Sequence, residues 1–508
     1  MGATGLQFAC VAAASFVCAS VASAADAQST NVGSANGGPS IVDTPQAQPS
    51  AGATPNPPAT APQGYAPIGL STPPKNFFTY GADAGIGYSD NVNESSNDKR
   101  GDEMLGIGVQ LAGLEQSARF QGGLLADLEH VNYLQGTSSP QLIGNFAGYG
   151  SYALIPDYIH WIAQDSFGQG LIDPFASQSP GNLENINTLT TGPTFSIPVS
   201  ALTMLNVSAR YSRVSYQVSP LDSNDYGGSV SLIHLLSARS RISVNIQDER
   251  YEYTDPINPS YQDREAYLRY DIQGARTHID ADVGYDQVRG SDLGSNGVLA
   301  RLSISRTISE GSVVSLSAGR DTSNSSSFLT QSQSVTGIGL QVTSGRQTAA
   351  PFTNQYESLS WGLVRRRTTL SFGLAHYLQL YDGQSSLDNT ITSGSARVSR
   401  VVYPGWSVGL AGEYSKNNFA ALSGGNYTQK QGGLNVKWQM ARKLALSFEY
   451  DHFIRNSEAQ FNYTENRVWV RIQYGSSTPG GPMGGSSSDA AALGVARPDP
   501  FNIPSPTH

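Results

Sequence analysis

The sequence predicts an all-β protein, a transmembrane antiparallel up-and-down β-barrel of about 18–20 strands with an even strand number. Three observations predict it: an export signal at the N-terminus, a period-two alternation of apolar and polar residues from residue 76 to residue 474, and a strict alternation of short and long links between these segments. Together they indicate strands whose two faces meet different surroundings, joined by turns at one end and by loops at the other.

The first 24 residues are predicted to be a cleaved signal peptide. Residues 6–21 form an Ala-rich apolar run, and residues 22–24, Ala-Ser-Ala, follow it as a small-residue cleavage site. No Lys or Arg precedes the run, which departs from the usual pattern, and a retained anchor is the alternative. Cys10 and Cys18 both lie in this segment. The mature chain would therefore contain no cysteine, which excludes disulfides, thiolate metal sites and Cys nucleophiles.

Two segments have compositions that do not support a folded core. Residues 25–75 are rich in Ala, Pro, Ser, Thr, Gln and Gly and predict a disordered periplasmic linker, and residues 475–508 predict a disordered tail of the same character. A docking motif within either segment is the alternative. The predicted barrel domain lies between them, at residues 76–474.

The composition favours a barrel over other classes. Charged residues make up only 14% of the chain, which contains 54 Gly and 25 Tyr. No apolar run after the signal approaches the roughly 20 residues that a membrane helix requires. Barrel strands need an apolar residue only at every second position. The net charge of −9 argues against a nucleic-acid partner.

The predicted strands share one alternating pattern. In the predicted closing strand, residues 465–474, the apolar side chains fall on one parity and the polar ones, with Trp469, on the other. The apolar positions of this strand are Val468, Val470, Ile472 and Tyr474. The same pattern occurs at residues 78–88, 105–111, 120–129, 207–211, 241–247, 265–273, 279–286, 298–305, 406–414 and 444–451. A soluble β-sandwich or β-helix is the alternative, because half-buried strands in soluble proteins alternate too.

The links between these segments form the second regularity. Short links are predicted at residues 112–117, 155–157, 198–201, 236–240, 274–276, 307–311, 365–367, 402–405 and 441–443. Longer links are predicted at residues 89–101, 136–140, 169–183, 217–224, 254–261, 289–295, 322–354, 382–388, 417–426 and 455–462. Outer-membrane barrels have short periplasmic turns and long external loops. The pattern predicts that both termini lie on the periplasmic side and that the closing strand pairs with residues 78–88.

The inward parity predicts the lining of the lumen. The candidates carry charges of both signs: Arg119, Arg210, Arg241, Arg269, Arg301, Arg467, Arg471, Asp127, Glu249, Asp271, Asp282, Glu413 and Glu449. Cross-strand ion pairs on a solvated wall are one interpretation of such residues. Charges that select the solute passing through a wide pore are the other.

No motif indicates catalysis, a cofactor or a metal. The seven histidines lack a metal-ligand spacing such as H-x-x-H, and no G-x-S-x-G motif is present. We expect no enzyme activity, no cofactor and no metal, with an outer-membrane hydrolase as the less favoured reading. Residues 322–354 form the longest link, and folding into the lumen as a constriction or remaining a surface loop are equal expectations for them.

Several segments resemble a family of predicted outer-membrane β-barrels found with exopolysaccharide loci, including its PEP-CTERM-system-associated members. These segments are residues 85–93 (GIGYSDNVN), residues 161–193 with Asp165-Ser166-Phe167 and Gly192-Pro193, and residues 463–474. The resemblance implies a porin-type barrel in the outer membrane of a Gram-negative bacterium, serving polysaccharide export. It carries over no catalytic residue, and residues 25–75 and the tail lie outside it.

We therefore expect a porin-like channel whose partners are outer-membrane lipid and a small polar solute or a polysaccharide. A plugged structural or docking barrel, which recruits periplasmic secretion proteins through residues 25–75 or the tail, is the alternative.

Overall fold

The computed structural model describes residues 76–290, 294–309, 311–325, 342–343, 348–420, 425–458 and 461–475. The predicted signal peptide and linker lie outside the described residues, as do residues 476–508 of the predicted tail and residues 326–341 and 344–347 of the longest link. Gly475, predicted as the first residue of the tail, belongs to the last strand. The predicted disorder of residues 25–75 and 476–508 remains a prediction.

The described chain is a closed barrel of 20 antiparallel strands, which confirms the predicted fold class and the even strand number. A further two-residue strand, β14, lies outside the ring order. The strands are β1 Phe77–Ser89, β2 Asp102–Gln116, β3 Phe120–Tyr133, β4 Gln141–Ile155, β5 Ile159–Leu171, β6 Leu183–Ser200, β7 Thr203–Tyr216, β8 Ser223–Ser237, β9 Ser240–Tyr253, β10 Tyr261–Gln273, β11 Thr277–Gly290, β12 Asn296–Ser309, β13 Ser312–Ser323, β14 Val342–Thr343, β15 Phe352–Arg365, β16 Thr368–Tyr381, β17 Asn389–Tyr403, β18 Trp406–Phe419, β19 Tyr427–Ala441, β20 Leu444–Ser457 and β21 Tyr463–Gly475.

The ring closes between the first and last strands. β1 pairs antiparallel with β21 from Gly81 opposite Gly475 to Ser89 opposite Arg467. Tyr474, Ile472, Val470 and Val468 lie opposite Ala82, Ala84, Ile86 and Tyr88, so the apolar faces of both strands are continuous across the closure. An even strand number makes this antiparallel pairing obligatory, because each strand reverses the direction of the one before it.

Links at one end of the barrel are turns of two or three residues, and links at the other end are longer, which confirms the predicted alternation. The structure corrects several boundaries: β2 runs to Gln116 and β6 to Ser200, beyond the predicted starts of the links at residues 112 and 198. Strands continue until a tight turn forces reversal, and Asp157 and Gly311 adopt the positive φ that such turns require. We call the two ends the short-turn end and the long-loop end.

The two faces of the wall differ as the alternation predicts. Large apolar side chains on the outer face are exposed, for example Ile86 at 65% and Ile246 at 58%. Aromatic side chains mark both borders of this apolar band. Near the short-turn end they are Tyr80, Tyr152, Trp161, Tyr403, Trp406, Trp438 and Tyr474, and toward the long-loop end they include Tyr88, Tyr211, Tyr226 and Tyr285. The inner face carries most of the charged strand residues, and these contact one another across strands.

Among the described residues, no helix is long and apolar enough to cross a membrane.

Candidate functional site

A guanidinium on β12 gathers the carboxylates of its neighbouring strands. Arg301 lies 2.8 Å from Glu265 on β10, 2.9 Å from Asp321 on β13 and 3.7 Å from Asp282 on β11. These residues share the inward parity, and their side chains are at most 5% exposed. We call them the Arg301 cluster. Charge-assisted hydrogen bonds of this kind stabilise the wall only because the buried charges remain paired.

The Arg301 cluster extends to a second guanidinium. Arg269 on β10 makes a two-pronged contact with Asp282, with both N–O distances at 2.7 Å. The ring of Tyr267 lies within 5.6 Å of both guanidinium carbons. Asp282 therefore links two arginines, and the contacts join strands β10–β13 into one polar surface.

A corresponding cluster lies at the closure of the barrel. Arg471 on β21 lies 2.8 Å from Glu449 on β20, 3.2 Å from Glu129 on β3 and 3.8 Å from Asp83 on β1. Its guanidinium also lies over the ring of Trp469 at 4.0 Å. We call these four charged residues the Arg471 cluster. They hold the last strand to the first, and both to β3 and β20.

The two clusters face each other across the lumen. Arg301 on β12 and Arg471 on β21 are eight strands apart one way round the ring of 20 and twelve the other way, so the walls that carry them lie on opposite sides of the lumen. Each cluster places three carboxylates around one guanidinium. The wall is thus richer in negative than in positive charge at both places.

Further toward the long-loop end, above the Arg301 cluster, lie three buried carboxylates that we call the upper carboxylates: Asp225, Glu249 and Asp263. Glu249 and Asp263 are directly opposite each other on β9 and β10. They are 4% and 1% exposed, Asp225 is 3% exposed, and each has one carboxylate oxygen without a hydrogen-bond partner. Two like charges in such a place share a proton or require a cation, because burial of an uncompensated anion costs several kcal/mol or more.

Aromatic rings border the upper carboxylates. Tyr251 and Tyr261 stack with centroids 4.6 Å apart, and both are 3% exposed. Together with Tyr253 and Val288 they form a small apolar cluster on β9, β10 and β11. A cation bound by the carboxylates would lie beside π-faces that also attract positive charge.

The loop between β5 and β6, residues 172–182, crosses the long-loop end of the barrel. We call it the mouth loop. Phe175 packs edge-on against Phe419 of β18 at 4.7 Å, and Gln178 accepts a hydrogen bond of 3.1 Å from Gln429 of β19. The inner faces of β18 and β19 are thus contacted by a loop that begins at β5. The sequence predicted a link here without predicting that it would turn inward.

Arg455 of β20 anchors the mouth loop. It donates a hydrogen bond of 2.9 Å to the carbonyl oxygen of Phe175, and its guanidinium lies 3.7 Å from the ring centroid of Tyr427. It is 0% exposed, and its Nε and Nη1 have no hydrogen-bond partner. A buried guanidinium with two unsatisfied donors already costs free energy, and loss of the hydrogen bond to Phe175 would raise that cost further. This hydrogen bond therefore constrains the position of the loop.

The longest link also folds over the barrel at the parts that are described. Val342–Thr343 pairs in parallel with Gln169 and Gly170 of β5, where β5 continues beyond its last pairing with β4 at Phe167. At the ends of the link, Asn324 donates to the hydroxyl of Tyr261, and the hydroxyl of Tyr253 donates to the carbonyl oxygen of Ala349. The described portions thus contact the inner wall on two sides.

Most of the predicted lining residues fall into two groups on the wall. Arg241, Arg269, Arg301, Asp271, Asp282 and Glu249 lie on the β9–β12 wall, and Arg467, Arg471, Glu449 and Asp127 lie on or beside the closure wall. Glu413 lies on the inward parity of β18, opposite Gln431. Arg210 turns toward β6, where it donates to the carbonyl oxygen of Pro193 at 2.6 Å and to Thr194.

Arg119 was predicted to line the lumen, and the structure corrects this placement. It lies in the turn between β2 and β3 and is exposed, so it is not part of the strand wall. The prediction ended β2 near residue 112 and so counted Arg119 as the start of the next strand. The strand in fact continues to Gln116, and the turn is correspondingly later.

Among the carboxylates of the two clusters and the upper carboxylates, three fall in no predicted strand and were not predicted to line the lumen: Asp225, Asp263 and Asp321. Each lies within three residues of a strand end, where predicted links overlapped the real strands. They lie just outside the predicted links at residues 217–224, 254–261 and 322–354, so continuing the period-two count up to those links would have found them.

Three solved structures show what this chain is similar to. It aligns with a mutant of the ferric enterobactin receptor PfeA of Pseudomonas aeruginosa at 7% identity and a TM-score of 0.42, over 78% of this chain and 80% of that one. It aligns with the FrpB iron transporter of Neisseria meningitidis at 10% and 0.40, over 80% and 83%. It aligns with OccK2 (OpdF) of P. aeruginosa at 12% and 0.33, over 78% and 98%.

No protein-family model matches the chain, and no curated protein matches it. At these identities and TM-scores, the three structures carry no inference about what this barrel binds.

The histidines are mostly remote from the lumen chemistry. The hydrogen-bonded partners of described histidine rings are Thr203 for His234, Thr392 for His376 and Asn466 for His452. His278 differs from these, because it lies on the inward face of β11 with two carboxylates close to it.

Proposed function

We propose that this protein is an outer-membrane channel for polar solutes that favours cations over anions. The observation that carries the proposal is the inner wall, where carboxylates outnumber guanidinium groups in both opposing clusters and the upper carboxylates have unpaired oxygens.

The outer face supports a membrane location. Exposed apolar side chains cover the wall between two aromatic borders, and an apolar surface of this extent requires a non-aqueous surrounding. A barrel that presents this band to lipid satisfies its backbone hydrogen bonds within the ring. The predicted signal peptide and the alternating link lengths support the outer membrane, with the short turns in the periplasm.

The charge of the wall supports the preference for cations. Fixed negative charges in a narrow, low-dielectric passage raise the local concentration of cations and repel anions. Glu249 and Asp263 lie directly opposite each other, so a passing cation relieves their repulsion.

The mouth loop limits the size of the solute. Its contacts with β18, β19 and β20 span the long-loop end, so the arrangement favours small solutes over a polymer. Passage of an exopolysaccharide, which the family resemblance implies, would require the mouth loop to leave Phe419 and Arg455.

Single-channel recording in planar bilayers tests the proposal. In a KCl gradient, the reversal potential should show cation preference, and the preference should be greater at pH 8 than at pH 5 because carboxylates ionise. The pair Glu249→Gln with Asp263→Asn should reduce it. The control pair Asp248→Asn with Glu252→Gln removes equal charge from the outward parity of β9, and should leave selectivity unchanged. Anion preference in the wild type would contradict the proposal.

A plugged docking barrel is the second candidate, and the anchored mouth loop favours it. If the barrel is plugged, neither the wild type nor a variant with Phe175→Ala and Arg455→Gln would conduct. If it is a channel that the mouth loop closes, the variant should conduct better than the wild type. Loss of cellular function on deletion of residues 25–75, with normal insertion of the barrel, would add support for docking of periplasmic proteins.

A further inference from the structure

Three polar side chains converge on the hairpin of β10 and β11, near the short-turn end. Asp271 and Asp280 are directly opposite each other, and His278 lies two residues before Asp280 on the same face. The imidazole Nε2 is 2.5 Å from Asp280 Oδ2 and 3.7 Å from Asp271 Oδ2. One ligand atom from each residue lies within 4.8 Å of the other two. The three side chains thus converge on one point of the inner wall.

The atoms that converge are buried and short of partners. The side chains of His278, Asp271 and Asp280 are 6%, 4% and 11% exposed. His278 Nδ1, Asp271 Oδ2 and Asp280 Oδ1 have no hydrogen-bond partner, whereas Nε2 faces the Asp280 carboxylate at 2.5 Å. Buried polar atoms are normally satisfied, and an unsatisfied one costs about 1–3 kcal/mol. A single cation between the three residues would satisfy several of these atoms at once.

We propose that Asp271, His278 and Asp280 bind a divalent transition-metal ion of the Zn²⁺ class. Zn²⁺ takes imidazole nitrogen and carboxylate oxygen at about 2.0–2.2 Å, so Nε2 and the Asp280 oxygen move apart by a fraction of an ångström on binding. One imidazole and two carboxylates leave coordination positions open toward the lumen. The imidazole favours Zn²⁺ over Mg²⁺, which prefers oxygen ligands and retains its water.

Arg241 of β9 completes the surroundings. Its Nε lies 3.3 Å from Asp271 Oδ1, which leaves Oδ2 directed at His278. A group that holds the second carboxylate oxygen orients the first for coordination. On the same two strands, Arg269 is engaged with Asp282 at 2.7 Å.

The competing arrangement is an ion cluster without metal, in which a protonated imidazole and Arg241 neutralise the two carboxylates. The two arrangements differ in one observable, the binding of Zn²⁺ by the folded barrel. The measurement does not depend on conduction, so failure of the channel proposal leaves this one intact.

Isothermal titration of the full-length protein, folded in detergent, with ZnCl₂ tests the site. We expect one site per chain that MgCl₂ does not fill at equal concentration. His278→Ala, Asp271→Asn and Asp280→Asn should each weaken Zn²⁺ binding at least tenfold. His234→Ala is the matched control, because His234 is exposed near a turn of the same end and bonds Thr203; its loss should change nothing.

Heat-modifiable migration on gels shows which variants fold. If His278→Ala does not fold, Asp271→Asn and Asp280→Asn still test the site. Absence of Zn²⁺ binding by the wild type would overturn the proposal. So would equal binding by the wild type and the three site variants, because surface histidines would then account for it.

Discussion

The β10–β13 wall and the closure wall each surround one guanidinium with three carboxylates, but they take these groups from different parts of the chain. In the Arg301 cluster, one guanidinium holds three carboxylates that come from residues 265–321, within four consecutive barrel strands. In the Arg471 cluster, the three carboxylates come from residues 83, 129 and 449, so the contacts join the beginning of the barrel to its end. The first cluster is local in sequence, and the second exists only after the ring has closed.

The two walls also differ in burial and in what lies above them. The Arg301 side chain is 5% exposed and that of Arg471 is 14%. Toward the long-loop end, the first wall continues into the upper carboxylates, whereas the closure wall carries Arg467 paired with Glu465. The comparison teaches that the local cluster sets charge and rigidity, and that the closure cluster fastens the ring.

Removal of either guanidinium group should lower the free energy of unfolding, and by more for Arg301 than for Arg471. Arg301→Met leaves three buried carboxylates without their cation and should lower the free energy of unfolding by about 3–5 kcal/mol. Arg471→Met should cost less, about 1–3 kcal/mol, because its partners are up to 25% exposed and water screens them. Urea unfolding in lipid vesicles measures both.

Arg100→Met is the control for those variants, since Arg100 and Asp98 are 61% and 73% exposed and their pair should contribute less than about 1 kcal/mol. A larger loss for Arg471→Met than for Arg301→Met would mean that closure, and not burial, dominates stability.

The next effect concerns closure itself. Ile472→Ala with Tyr474→Ala removes apolar side chains where β21 meets β1, and should slow insertion into membranes several-fold because this pairing spans nearly the whole chain. Val283→Ala with Tyr285→Ala makes a comparable change on the outer face of β11, inside a local hairpin, and should slow insertion less. Equal rates for the two variants, measured by time-resolved protease protection, would remove the special role of β21. Truncation after Gly475 should be tolerated.

The smallest expected effect is a pH dependence confined to the closure side. Glu94 lies in the loop after β1, and burial, with a further contribution from Glu465, raises its pKa to about 8 from 4.5. Between these values the unfolded chain is ionised while the folded loop holds a proton. Stability therefore falls as pH rises from about 4.5 to about 8.

Glu94→Gln should abolish that decline, which we expect to be about 1–2 kcal/mol because the loop can open locally. Unfolding midpoints at pH 5 and pH 8.5 measure it for the wild type and the variant. An unchanged pH dependence in the variant would assign the decline to other groups.

Much of the fold follows from the sequence for a simple reason. A strand in a single-layer wall between lipid and lumen must alternate at every residue, so parity alone assigned Arg301, Asp282 and Arg471 to the inner face. Link lengths assigned the two ends, and the even strand number assigned the neighbour of β21. Strand ends were less predictable, because a turn and a strand residue can have the same polarity; for that reason Arg119 was placed on the inner face and Asp225 was assigned to no strand.

Only the tertiary structure decided which inward residues meet. Parity gives the face of the wall and position along the strand gives the height. Contact between Arg471 and Glu129 depends on closure of the ring, and contact between Phe175 and Phe419 depends on a loop that crosses it. The convergence of Asp271, His278 and Asp280 depends on the register of one hairpin, which a shift of one residue would destroy. Alternation along a strand is a local property that can be read from neighbouring residues. Register, closure and loop direction are collective properties, because they are set by the free energy of the whole ring.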